Sequence, residues 1–258
     1  MAIRQASRHL RPAYHPDLDV APFRTIQVVD AGDIPCNPFD IDSALNQIHH
    51  GAAEYVSDRS KLVTLGGDHT ITLGVLRAMA KVHGPMAVVH FDAHLDTWDT
   101  YFEQPTTHGT FLRRAFEDGL LTEERSMHLG IRGPIYDRMD LTEDASFGFK
   151  TLRAGDLDTV GLDGAADAMR QRVGDLPVYI SIDIDVLDPA FAPGTGTPEM
   201  GGFTSRELLH LLRRLDGINI IGADVVEVAP AYDHAELTTI AAATVMYDLI
   251  TLMTKSPV

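Results

Sequence analysis

Met86-Ala87-Val88-Val89-His90-Phe91-Asp92-Ala93-His94-Leu95-Asp96 is the stretch from which the architecture follows. In an extended chain alternate side chains point to opposite faces. The run Met86–Phe91 is apolar on both faces apart from His90, which predicts a strand buried on each side. Such strands belong to parallel sheets with helices on both faces. The apolar run then stops and gives way to alternating Asp and His, placing ionisable groups at the strand's carboxyl end. Working outward, Ile218-Asn219-Ile220-Ile221 repeats the two-faced apolar pattern. Strands are expected over Thr25–Val29, Leu62–Leu65, Met86–Phe91, Met127–Ile131, Val178–Asp183 and Ile218–Val226. Helical spacing appears between them. Ile41, Leu45, Ile48, Ala52 and Val56 define one helix from about Ile41 to Val56. Thr204-Ser205-Arg206-Glu207 is a capping box opening a second, through Leu208, Leu211, Leu212 and Leu215. A third covers about Glu236 to Thr254. The alternation, without internal repeat or linker, predicts one α/β domain over residues 1–258, a three-layer α/β/α sandwich with a mainly parallel sheet.

Composition narrows the function classes. Cys36 is the only cysteine among 258 residues, so neither a disulfide framework nor a thiolate metal cluster is available. Acids outnumber bases 37 to 21, a formal charge of −16, and no Lys/Arg block offers the basic face a nucleic-acid binder needs. The same charge repels anionic lipid and favours cations. No apolar run approaches the ~20 residues of a membrane span. Met1-Ala2-Ile3-Arg4-Gln5 carries no apolar signal core. A cytoplasmic protein with neither membrane nor nucleic-acid partner is expected.

Three segments gather Asp and His at strand ends: Leu65-Gly66-Gly67-Asp68-His69-Thr70, His90-Phe91-Asp92-Ala93-His94-Leu95-Asp96, and Ser181-Ile182-Asp183-Ile184-Asp185-Val186-Leu187-Asp188-Pro189. In open α/β sheets ligands bind beyond the carboxyl ends of strands, where these segments can converge. Spacing of two puts Asp92, His94 and Asp96 on one side while the backbone stays extended, and Asp183 with Asp185 likewise. Carboxylates and imidazoles so crowded repel one another unless a cation is present, which points to a divalent metal site. Carboxylates with two imidazoles and no sulfur suit Mn²⁺ or a similar ion. Six ligands exceed what one four-coordinate zinc takes, so two ions sharing carboxylates fit better.

These three motifs together resemble those of the ureohydrolases, the family of arginase, agmatinase and their relatives, and the resemblance spans essentially the whole chain. It implies a binuclear manganese site on an α/β/α sandwich, with two Mn²⁺ per subunit. By that resemblance His69 and Asp96 bind one ion, His94 and Asp185 the other, and Asp92 and Asp183 bridge both. Asp68 and Asp188 fall in the motifs without being ligands, and are expected to cap turns and support the site. His108, in Thr107-His108-Gly109, stands where the family carries a proton-shuttling His. Glu227, in Asp224-Val225-Val226-Glu227, stands where its Glu pairs with a guanidinium. His90 is expected to be a core or supporting residue. The implied reaction is hydrolysis of a guanidinium to urea and an amine. Asp96 accepts a proton during attack, Asp96 or His108 returns one to the leaving amine, and Glu227 orients the substrate. Family relatives also imply a homo-oligomer, trimer or hexamer.

For the substrate's tail, the loop Thr97–Thr107 lacks the Asn and Ser groups with which arginases read a carboxylate, and contains Asp99 and Glu103 instead. An acidic, aromatic loop suits an amine tail, so Asp99 and Glu103 are candidates for contacting it, and cleavage of agmatine to putrescine and urea is expected. Guanidinobutyrate or another guanidino compound is the alternative. A non-catalytic paralogue and a one-zinc deacetylase of related fold are the competing classes; the intact Asp and His set weighs against both. The chain opens inside the family's Arg-Phe-Gly-Pro…Ala-Ile-Arg region, at Ala2-Ile3-Arg4, so the family's first strand is expected to be missing.

Overall fold

A computed structural model of the chain describes residues 1–256. Six strands form one parallel sheet: β1 (Leu62–Leu65), β2 (Ala87–Phe91), β3 (Met127–Ile131), β4 (Lys150–Arg153), β5 (Val178–Asp183) and β6 (Ile220–Val226), in the spatial order β1-β6-β5-β2-β3-β4. Every residue of β2, β3, β5 and β6 is buried, as two-faced apolar runs require. Nine α-helices accompany them among the described residues: α1 (Ala2–Ala6), α2 (Pro22–Thr25), α3 (Ile41–Ala53), α4 (Ile71–His83), α5 (Phe111–Glu117), α6 (Arg138–Ser146), α7 (Leu157–Val173), α8 (Ser205–Arg213) and α9 (Leu237–Met253).

The period of two decides which helix covers which face. Val89, Phe91, Leu129, Ile180, Ile182 and Val225 pack with α7, α8 and α9 through Met169, Leu211 and Leu249. Val88, Tyr179 and Ile221 point the other way, onto α3, α4 and α5 through Ile48, Leu76 and Phe111. The result is the three-layer α/β/α sandwich. Helix α8 opens with the expected capping box: Thr204 N–H donates to Glu207 Oε2 at 2.8 Å, and Glu207 N–H to Thr204 Oγ1 at 3.2 Å. Helices α3 and α9 match expectation within three residues at either end.

Two strand expectations need correction. Residues 25–29 form no strand: Thr25 ends α2, and the following residues run unpaired over the surface, with Val29 71% exposed. An apolar run becomes a strand only when a sheet edge receives it, and β1 pairs with β6 alone. The residues directly after this segment are held by Arg4, whose guanidinium bonds Asp30, Asp33 and the Gly32 carbonyl. Conversely, Lys150-Thr151-Leu152-Arg153 forms edge strand β4 with only Leu152 buried, a pattern too polar to signal a strand.

The sheet order sets the site. β1, β6, β5 and β2 are lateral neighbours, and their carboxyl ends run into Gly66–His69, Glu227, Asp183–Asp185 and Asp92–Asp96. Segments far apart in sequence therefore meet at one edge of the sheet.

Candidate active site

The ligand-bearing segments leave their strands through turns rather than in extended form. Asp92 Oδ1 accepts from His94 N–H at 2.6 Å, and Asp183 Oδ1 from Asp185 N–H at 2.8 Å. These are Asx turns, a side chain folding its own backbone two residues on. Convergence at spacing two thus arises from the turn, a different cause from the extended alternation expected above. Ala93 N–H donates to Asp185 Oδ1 at 3.1 Å and locks the two segments together. Asp96 and Glu227 both hold left-handed backbone, φ 57° and 59°. Residues other than Gly, Asn and Asp rarely adopt it, so Glu227 in particular is strained there, and such strain concentrates at functional positions.

His69 Nδ1 lies 3.2 Å from Asp92 Oδ2, 3.1 Å from Asp96 Oδ2 and 3.3 Å from Asp183 Oδ2. His94 Nδ1 lies 3.2 Å from Asp92 Oδ1 and 3.1 Å from Asp185 Oδ2. Two donor clusters therefore exist, one around His69, His90, Asp92 and Asp96 and one around Asp92, His94 and Asp185, with Asp92 common to both. His69 Nδ1 and Asp92 Oδ2 are buried without a hydrogen-bond partner. Buried polar atoms are normally satisfied, so these fit an ion. The charges say the same. Despite burial, which opposes it, Asp185 and Asp92 push the His94 imidazole up to about 12. Burial, with Asp92's charge beside it, raises Asp96 to about 7. The carboxylates draw positive charge toward themselves, a demand two divalent ions meet. The residues present fit a binuclear metal centre.

Around this cluster lies a layer of buried polar partners. Asp224 Oδ2 accepts from Thr72 Oγ1 at 2.7 Å and Tyr179 Oη at 2.8 Å, and its Oδ1 from Ser181 Oγ at 2.7 Å. Ser181 Oγ–H thus donates to Asp224, and its oxygen accepts from His69 Nε2–H at 2.8 Å. That fixes Nδ1 as the atom turned to the carboxylates. His90 is buried beside Asp92, its Nε2 3.0 Å from Asp92 Oδ2 and its Nδ1 2.8 Å from His128 Nδ1; His128 Nε2 lies 3.0 Å from Asp144 Oδ1. Burial holds His90 down at about 3 and therefore neutral. Asp68 and Asp188 cap turns: Asp68 Oδ1 accepts from Thr70 N–H, and Asp188 from Ala190, Gly201 and Gly202 N–H.

Above the cluster opens a cavity of about 330 Å³, lined by His69, His94, Asp96, Asp183, His108 and Glu227 together with Trp98, Tyr101, Tyr136 and Glu199. Asp96, His108 and Glu227 are brought together. Glu227 Oε1 accepts from His69 N–H at 2.7 Å, and burial raises its carboxyl to about 7. Burial lowers His108. Trp98 stacks on Tyr101 with centroids 5.5 Å apart and meets Tyr136 at 5.1 Å, forming an aromatic wall. Asp99 and Glu103 are absent from that lining, so the expectation that they contact the tail is corrected. Asp99 turns outward to Arg114 at 2.9 Å and Arg113 at 3.4 Å, while Glu103 is exposed with φ 61°. Two basic residues on α5 captured an acid that composition alone assigned to substrate. Glu199 and Tyr136 were missed; Glu199 directly follows the glycine-rich stretch ending at Pro198, a signal that could have found it.

Comparison with known proteins agrees with this geometry. The profile of the arginase family matches residues 1–251. A guanidinopropionase of Pseudomonas aeruginosa is 40% identical over 255 residues, 98% of this chain and 80% of that protein. An agmatinase of Salmonella paratyphi B is 41% identical over 252 residues, 96% of this chain and 78% of that one. The solved structure of proclavaminate amidino hydrolase from Streptomyces clavuligerus superposes with a TM-score of 0.92 at 38% identity, over 98% of this chain and 84% of that one. No helix among the described residues is long and apolar enough to cross a membrane. With fold, paired donor clusters and sequence in agreement, the chain belongs to the arginase family of ureohydrolases.

Proposed function

We propose that this protein is an amidinohydrolase that cleaves the terminal guanidino group of a linear guanidino-alkyl compound to urea and an amine, using two Mn²⁺. The observation that carries this reading is the pair of donor clusters sharing Asp92, with orphaned His69 Nδ1 and Asp92 Oδ2, on the floor of a cavity walled by Glu227. His69 and Asp96 would hold one ion, His94 and Asp185 the other, with Asp92 and Asp183 between them. Two divalent ions bound there would lower the pKa of water and so make it nucleophilic near neutral pH.

The chain's own residues do the rest. Glu227 presents a carboxylate whose Oε1 is fixed by His69 N–H, which aims it at a planar guanidinium. Held so, the substrate's central carbon faces the cluster instead of bulk water. Asp96 and the His108 imidazole, in the same cavity, take up and return the protons that the departing amine needs. Trp98, Tyr101 and Tyr136 exclude water along the alkyl chain. With Asp99 and Glu103 outside the cavity, no acidic loop singles out agmatine over a guanidino acid. The substrate class is therefore ω-guanidino-alkyl compounds, with agmatine, guanidinobutyrate and guanidinopropionate as its members to compare.

The test is urea release by Mn²⁺-loaded protein from those three compounds and arginine. Urea from at least one of the three, faster than from arginine, is the expected result. No urea from any of them, with two Mn²⁺ bound per chain, would overturn the proposal in favour of a non-catalytic paralogue.

A further inference from the structure

Arg132, the residue after β3, is buried at 8% exposure, yet it bonds no carboxylate. Its guanidinium makes six hydrogen bonds, all to main-chain carbonyls: Nε to Glu199 O (3.3 Å), Nη1 to Gly130 O (3.2 Å) and Val186 O (3.1 Å), and Nη2 to Asp185 O (2.6 Å), Leu187 O (3.2 Å) and Glu199 O (2.8 Å). Asp185, Asp92, Asp188 and Glu199 act on its charge without bonding it, and burying a charge with no directly bonded carboxylate is costly unless the site is built for it. The surroundings are built. A Cβ on Gly202 would stand 2.5 Å from Nη2, and one on Gly133 2.6 Å from the Glu199 carboxyl carbon. At residue 202 only glycine leaves room for the guanidinium and for the main chain of Leu187 and Asp188, which lies as close.

The five carbonyls belong to three pieces of chain that covalent structure does not hold together. Gly130 ends β3. Asp185, Val186 and Leu187 form the turn that presents Asp185 to His94. Glu199 lies on the cavity wall. The shortest bond falls on Asp185 itself, the residue whose Oδ1 and Oδ2 also hold Ala93 N–H and Thr197 Oγ1. A planar fork with five N–H donors can serve such a set, whereas an ammonium with three cannot.

We propose that Arg132 is a positioning residue for the metal position formed by Asp92, His94 and Asp185, and that the same guanidinium ties this position to the cavity wall at Glu199. The inference rests on the binuclear reading above. The Arg132 guanidinium bonds neither His69 nor Asp96, and only the main chain reaches their segment, through Arg132 N–H to Ala93 O at 2.9 Å, so the two positions depend on the side chain unequally. Loss of the fork lets the Asp185 turn drift and weakens one ion while sparing the other. The positive charge, meanwhile, offsets part of the carboxylate excess from behind, away from the face that meets substrate.

The experiment is calorimetric titration of metal-depleted protein with Mn²⁺, alongside the electron paramagnetic resonance spectrum at saturating and at one-equivalent metal. Wild type, Arg132→Lys and Arg132→Met are compared with Asp188→Asn. The last loosens the same loop by replacing Oδ2, which accepts from Gly201 and Gly202 N–H, with an amide NH₂, while the remaining oxygen can still serve Ala190 N–H and the Asp185 carbonyl stays bonded. The wild type is expected to bind two ions with a spin-coupled spectrum; failure of that arm indicts the binuclear reading and not Arg132. In Arg132→Lys, and in Arg132→Met where it folds, one binding step weakens by about 10- to 100-fold, the usual cost of losing a partner behind a metal ligand. The other changes less than about threefold, and at one equivalent the spectrum is that of isolated Mn²⁺. In Asp188→Asn both steps stay within about threefold of wild type. Equal weakening of both steps in Arg132→Lys, or two steps at wild-type affinity, overturns the assignment.

Discussion

Replacing Glu227 with Gln isolates the substrate carboxylate from everything around it. The amide keeps an oxygen where Oε1 now accepts His69 N–H at 2.7 Å, so the left-handed turn at residue 227 and the main chain of His69 keep their anchor. What disappears is the charge. A hydrogen bond to a charged group contributes about 1.5–3 kcal/mol against about 0.5–1.5 for a neutral one, so the exchange removes about 1 kcal/mol or more. The amide NH₂ then also faces the guanidinium NH₂ groups, donor against donor, adding a similar amount. A total of about 2–3 kcal/mol corresponds to a fall of roughly 30- to 150-fold in kcat/KM. Because the guanidinium is positive before the reaction begins, most of that loss belongs in KM. The assay is steady-state urea release over a wide substrate range, with Mn²⁺ content measured on the same sample and expected to be unchanged. A KM within about twofold of wild type, at full metal content, removes Glu227 from guanidinium recognition.

Ser181→Ala breaks the relay between His69 and Asp224, leaving a buried Nε2–H without an acceptor. The variant should lose about 1–3 kcal/mol of unfolding free energy in urea denaturation and bind Mn²⁺ about 10- to 100-fold more weakly by titration; wild-type values for both would show that the relay supports nothing. The double change Asp99→Asn with Glu103→Gln should leave the kcat/KM ratio of agmatine to guanidinobutyrate within about twofold, since neither side chain lines the cavity; a larger shift in that ratio places the loop in the substrate's path after all. Exhaustive chelation should abolish urea release and lower the melting temperature, and restored Mn²⁺ should recover both, with about 2.7 kcal/mol gained per site at a hundredfold excess over Kd. Identical melting curves with and without Mn²⁺ would mean that the folded clusters hold no ion.

The two-faced runs Met86–Phe91 and Ile218–Val226 were legible because a strand buried on both sides needs apolar residues at every position, and nothing else in a soluble chain does. The motifs at their ends were legible for the opposite reason: so many acids around His69 and His94 make sense only with a cation. Edge strand β4 was hidden, since only Leu152 needs to be apolar there. Residues 25–29 misled because strand propensity says nothing about whether a sheet edge takes the segment up; the outer edge of β1 stays unpaired. Asp99 misled because its partners, Arg113 and Arg114, come from a helix that packs back on the loop. Arg132 gave no sign in sequence at all. A lone arginine after a strand reads as surface, and its role depends on carbonyls from residues 185–187 and 199, which only the folded sheet brings near.

The insertion of β5 between β6 and β2 has a consequence for how the protein folds. His69 and Ser181 meet across 112 residues, Ala93 and Asp185 across 92, and His69 and Glu227 across 158. Neither ligand set closes within one hairpin or one βα unit. Contacts so remote in sequence incur their loop-closure entropy before they return any stabilisation, and they form late. Ions held by them act on the finished molecule and not on its folding nucleus. Excess Mn²⁺ should therefore slow unfolding while leaving the refolding rate nearly unchanged, which makes metal retention a kinetic lock on the native sheet.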